Sequence, residues 1–129
     1  MPKGEIDKSI WANWQEVEDE GAKNFTLELF EMFLKTSAQD MNDLTEALPK
    51  NDFKLIAHLA HALKGSCAQV GALTLSEEFG ELETQTRNLS MALSDVSFEA
   101  LQARFLRVRA EIQAECLRRR SLLKKGDHL

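Results

Sequence analysis

This chain of 129 residues has no tyrosine, and proline and glycine are scarce, at two and six. So few helix breakers leave long helices unobstructed. β-Branched residues are few and no stretch alternates apolar with polar, so nothing calls for a strand. No apolar run approaches the roughly 20 residues that a membrane span needs. The N-terminus lacks the apolar core of a secretory signal, so a cytoplasmic location is expected. The two cysteines, Cys67 and Cys116, have a spacing that supports neither a disulfide nor a metal site. Both project toward apolar faces and read as small buried thiols in a reducing compartment. No internal repeat or low-complexity segment occurs.

Net charge is -5, but it is unevenly spread. Residues 101–129 hold eight Lys/Arg and three Asp/Glu, so the first hundred residues carry all of the acidic excess. A mainly acidic body does not fit a nucleic-acid binder. The length allows one domain with one core.

Apolar spacing then gives the architecture. Ile10, Trp11 and Trp14 fit a short amphipathic helix that covers one end of a bundle, with Gly21 breaking it. Leu27, Phe30, Leu34, Ala38, Met41, Leu44 or Thr45, and Leu48 step by three and four along a helix over 22–48, which Pro49 stops. Phe25, Leu29 and Met32 add a strip on another side. The N-terminal helix and its tryptophans cover it, or part of it stays open to a partner. Asn51 is the expected N-cap of the next helix, with Asp52 in its first turn and Gly71 at its C-terminal end. Thr74 and Glu77 have capping-box spacing for a helix with Leu75, Phe79, Leu82, Thr86, Leu89 and Leu93 on its buried face. Its Glu77, Glu78, Glu81 and Glu83 are expected mostly in water. Residues 94–97 form a turn that can cap a last helix buried through Leu101, Phe105, Val108, Ile112 and Cys116. From Arg118 the basic tail reads as a frayed, solvated helix end, where cations suit the helix dipole. The expected class is all-α: an antiparallel up-down-up-down four-helix bundle with a short N-terminal capping helix. Residues 1–129 form the single domain, with a core over about 22–117 and the basic tail over 118–129.

The third of these helices carries the chemistry. At about 100° per residue, Ile56, Leu59, Leu63, Ser66, Cys67 and Val70 share one buried face. His61 points about 170° away from the centre of that stripe, into water. Its surface neighbours are Ala57, Lys64, Gly65 and Ala68, so nothing bulky blocks a second protein. The string His61-Ala62-Leu63-Lys64-Gly65-Ser66, then Val70-Gly71-Ala72, then Leu75, Phe79, Leu82 and Glu83, resembles the signature of histidine-containing phosphotransfer (HPt) domains. The likeness runs for more than twenty residues at fixed spacing. Beyond them, the chain agrees in helical pattern and length only.

That resemblance implies that His61 accepts a phosphoryl group from an aspartate of a receiver domain and passes it to another, through the ring nitrogen farther from the backbone. It puts Lys64 beside the phosphoryl group, and at Gly65 it lets the partner come close. The residues suit these roles. A free imidazole titrates at about 6.5, so an exposed ring is mostly neutral and nucleophilic at cytosolic pH. A nearby ammonium disfavours a second proton on the ring and later pairs with phosphate. No Gly-rich loop is present to cradle a nucleotide, so ATP is not the direct donor. No carboxylate cluster with an obvious Mg²⁺ geometry accompanies His61, and by resemblance the Mg²⁺ belongs to the receiver, so no cofactor is expected on this chain. It is expected to be a phosphocarrier and not a self-sufficient enzyme. The expected partners are receiver domains of response regulators and hybrid histidine kinases, met by a monomer.

Two other readings stay open. A helical adaptor could bind a partner without chemistry, or the bundle could be the detached phosphoacceptor domain of a larger histidine kinase. His58 and His61, three apart, could also share a metal, but they lack further ligands and Lys64 would repel a cation. His58 lies about 60° from His61 around the helix and either edges the docking surface or is simply solvated. His128 gets no role.

Overall fold

The computed structural model describes residues 5–88 and 95–126. They form five helices: α1 (Ser9–Asp19), α2 (Phe25–Ala47), α3 (Phe53–Gln69), α4 (Leu73–Arg87) and α5 (Asp95–Gly126). No strand occurs among the described residues. Helices α2 to α5 make the antiparallel bundle. Each packs on two others, α3 between α2 and α4, and α5 between α4 and α2. No described helix is long and apolar enough to cross a membrane.

The helix phases follow the apolar spacing. Leu101, Phe105, Val108, Ile112 and Cys116 are all buried on α5, as are Leu75, Phe79, Leu82 and Thr86 on α4. Leu89 and Leu93 lie outside the described residues. On α2 the buried sector also takes in Phe33, Ser37 and Ala47, because α2 meets both α3 and α5. The Ser37 hydroxyl tolerates this by donating to the Phe33 carbonyl. Cys67 and Cys116 are free and buried, and burial pushes the Cys67 thiol up to about 12.

Helix α1 seals one end. Trp11 packs on Phe30 with ring centroids 5.0 Å apart, and Trp14 on Phe25 at 5.6 Å. The Phe25 strip is thus covered at that end, while Met32 stays 64% exposed at the other. Both indoles also donate to carbonyls at the C-terminus of α3: Trp11 Nε1 to Val70 at 2.8 Å and Trp14 Nε1 to Gln69 at 3.2 Å. The Asp7 amide donates to the Gly71 carbonyl at 2.8 Å. A helix end leaves its last carbonyls without partners, and here the N-terminal segment satisfies them. Gly71 makes this possible. Its φ is +87°, and a Cβ there would stand 2.6 Å from the Asp7 carbonyl oxygen.

Four helix starts depart from the expected ones. Helix α2 begins at Phe25 and not at residue 22, because the chain turns through the left-handed Asn24, whose φ is +64°. Asp52, not Asn51, caps α3, its carboxylate accepting from the Leu55 amide at 3.3 Å. Asn51 instead takes the left-handed conformation that ends the turn, with φ at +54°. On α4 the capping box does not form. The helix starts at Leu73 behind a buried Ala72, so Thr74 already lies in its first turn. The tight link sets this start, with the Ala72 amide donating to Cys67 O at 2.9 Å. Residues 95–97 belong to α5 itself and not to a turn before it, and Ser94 lies outside the described residues. The basic tail continues α5 as helix to Gly126. There Arg118 and Arg119 pair with Glu115, and Arg120 pairs with Glu31.

Candidate functional site

His61 sits near the middle of α3, a helix whose opposite face is locked into the core by Ile56, Leu59, Leu63 and Cys67. Its side chain is 68% exposed. The ring leans toward α4, and Nδ1–H donates to Glu83 Oε2 at 3.0 Å and Oε1 at 3.2 Å. A carboxylate can only accept, so the proton of the neutral ring resides on Nδ1 and the lone pair on Nε2. Glu83 does not face water as its place among the acidic residues of α4 implied. It is 13% exposed, turned in toward α3, and held from its own helix by Arg87 Nε at 2.9 Å. Burial pushes the Glu83 carboxyl up, but the hydrogen bonds and charges of Arg87 and His61 outweigh it and hold the group below the ordinary carboxylate range.

Lys64 is exposed one turn after His61. Its chain crosses α4 at Gly80, where a Cβ would lie 3.4 Å from Lys64 Cδ and 3.7 Å from Nζ. Lys64, Glu77, Gly80, Glu81, Thr84 and Gln85 line the groove there. Beneath it, Ser76 Oγ donates to the Lys64 carbonyl at 2.8 Å and ties α4 to α3. At Gly65 a Cβ would meet nothing within 4 Å, so the surface beside His61 is open.

Of the four expected docking residues, His58, Gly65 and Ala68 are exposed, but Ala57 is not. Ala57 is buried at 3%, and Ala60 fully, because α3 is flanked by α2 and α4 and buries a wider sector than one stripe. Ala57 therefore cannot line an open surface. His58 is exposed and acts by its charge on Asp40 of α2. Burial and the Asp43 charge raise the Asp40 carboxyl on α2 above its ordinary value, and His58 opposes them. No group of three or more His, Cys, Asp or Glu able to hold a metal occurs among the described residues. Sequence reasoning missed the Glu83–Arg87 pair. The four-residue spacing of the two charges was its only local signal.

The family model described as "Hpt domain" matches residues 28–114, more than half of the chain. Two curated relatives from Oryza sativa subsp. japonica are similar. Pseudo histidine-containing phosphotransfer protein 1 is 32% identical over 78 residues, which are 59% of this chain and 41% of the relative. Pseudo histidine-containing phosphotransfer protein 2 is 33% identical over 66 residues, 50% of this chain and 44% of the relative. The chain thus spans under half the length of the curated relatives it matches. The crystal structure of histidine-containing phosphotransfer protein B from Pseudomonas aeruginosa superposes with a TM-score of 0.79 at 26% identity, covering 91% of this chain and 98% of that one.

Proposed function

The chain belongs to the Hpt domain family, and from that premise we propose that it relays a phosphoryl group between aspartates of receiver domains by way of a phosphohistidine at His61. The observation that carries this reading is the state of the ring. His61 is 68% exposed and its Nδ1 is engaged by Glu83, which leaves Nε2 as the nucleophile on the solvent side of a rigid helix. In the forward step Nε2 attacks phosphorus, the bond from phosphorus to the receiver's aspartyl oxygen breaks, and the carboxylate departs. The reverse step loads the next receiver.

Phosphoryl transfer needs positioning and charge neutralisation more than covalent help. Lys64 supplies one cation next to the ring, disfavouring a second ring proton before transfer and pairing with the phosphate afterwards. The open space at Gly65, with Ala68 and His58 at the margins, supports close approach by a receiver. The receiver brings the Mg²⁺ and the acidic pocket, so the chain acts as a carrier and not as a complete enzyme. Incubation with a phosphorylated receiver tests this. A carrier takes up phosphate that is acid-labile and base-stable, and His61→Gln takes up none. No label on the wild-type chain, across the receivers of the source organism, would leave a binding adaptor.

A further inference from the structure

Helix α5 is apolar on two sides. Besides the core face from Leu101 to Cys116, Ala103, Leu106, Ala110, Gln113 and Leu117 follow one another in steps of three and four. At about 100° per residue they share an arc centred about 140° from the core face. All five are exposed, Leu106 by 58% and Leu117 by 70%. No charged residue falls in that arc between Glu99 and Lys124. A solvated helix face is ordinarily polar, whereas a narrow apolar seam with this spacing is what one helix presents to another. From this seam we propose that α5 pairs antiparallel with α5 of a second copy of this chain.

Charge selects both the occupant and its direction. The arginines that border the seam are already engaged within their own chain. Arg107 pairs with Glu5, Arg118 with Glu115 and Arg120 with Glu31, and Arg109 donates to the Leu34 carbonyl at 2.7 Å. An acidic helix or an anionic bilayer would have to compete for them. The border thus leaves a charge-poor face, which a like face suits. Glu99 at one end and Lys124 at the other have no ion pair among the described residues. Turning one α5 against the other, about an axis midway between Leu106 and Leu117, sets Leu106 on the second copy's Leu117. The same turn puts Gln113 over the small Ala110, and Glu99 beside Lys124 at both ends. Arg107 comes near the second copy's Arg118, but Glu5 and Glu115 offset both charges. A parallel pair would instead set Glu99 on Glu99 and Lys124 on Lys124, like charges at both ends. Helix α5 packs between α4 and α2 and so lies diagonally across the bundle from α3. The paired copies therefore stand back to back, with both His61 rings facing outward. This inference uses nothing of the His61 site and is independent of the carrier reading. The monomer expected from the sequence is then the dilute state.

Sedimentation velocity of the whole chain at low salt, over a wide range of concentration, tests the pairing. A single helix–helix seam belongs among weak interfaces, so the mass should rise from one chain to two with half-association at about 10–100 μM. Leu117→Glu puts an unpaired carboxylate into the seam and should weaken association about tenfold or more. Glu99→Lys and Lys124→Glu should each weaken it about fivefold, and the two together in one chain should restore it. All three positions are exposed, so circular dichroism and melting of each variant should match wild type. The mass of one chain at every concentration overturns the inference, and so does a dimer indifferent to Leu117→Glu. A dimer that the double reversal fails to restore overturns the antiparallel pairing. A monomer that floats with vesicles of anionic phosphatidylglycerol overturns it in favour of a membrane surface.

Discussion

Gly65 offers a test in which stability and function should move in opposite directions. It lies within α3, where glycine costs about 0.5–1 kcal/mol relative to alanine through backbone freedom in the unfolded chain. A Cβ added there would meet nothing within 4 Å, so no clash offsets the gain. Gly65→Ala should therefore stabilise the fold by about 0.5–1 kcal/mol and raise Tm by about 2–5 °C. Gly65→Gln should be close to neutral or mildly stabilising by the same reasoning. Yet a partner that must bring its aspartate to His61 would meet the glutamine side chain first. Displacing the reacting groups by about 1 Å can cost about a hundredfold, so transfer to Gly65→Gln should slow by about ten- to a hundredfold. Urea denaturation and stopped-flow transfer from a phosphorylated receiver measure the two effects on the same samples. A Gly65→Ala variant that unfolds more easily would mean that the position is packed. Unchanged transfer by Gly65→Gln would take Gly65 out of the docking surface.

The other substitutions divide the site from its support. Gly71→Ala should destabilise by about 2–4 kcal/mol, combining the strain of a left-handed alanine with a lost hydrogen bond from the displaced Asp7 segment; denaturant midpoints equal to wild type would refute the docking of that segment. Leu63→Ala removes a fully buried side chain and should cost about 2–5 kcal/mol by calorimetry, whereas a small loss would contradict the phase of α3. Lys64→Ala should leave melting nearly unchanged and either slow transfer or shorten the phosphohistidine lifetime. If neither changes, the proposed pairing with phosphate is wrong.

Much of this was legible in the spacing of apolar residues. The stripe of α5 from Leu101 to Cys116 and the exposure of His61 follow from helical period alone, because each depends on one helix at a time. What was not legible depends on two elements meeting. Ala57 looked exposed because one apolar stripe suffices for a helix with one neighbour, and α3 has two. Glu83 looked like the other acids of α4, since only the rotation of α4 against α3 selects which of them reaches the imidazole. The N-cap at Asp52 differs from the expected Asn51 by one residue, since both side chains can cap and the turn decides between them. The closure of α3 by two indole N–H groups from α1 spans more than fifty residues of sequence and has no local signature.

The most direct test of the account is the position of phosphate after brief incubation of the whole chain with a phosphorylated receiver domain, read by fragment mass spectrometry under alkaline conditions. Phosphate is expected on His61 alone, and none on a His61→Gln chain whose circular dichroism and melting match wild type. Phosphate on another residue, or its retention in a folded His61→Gln chain, would contradict it.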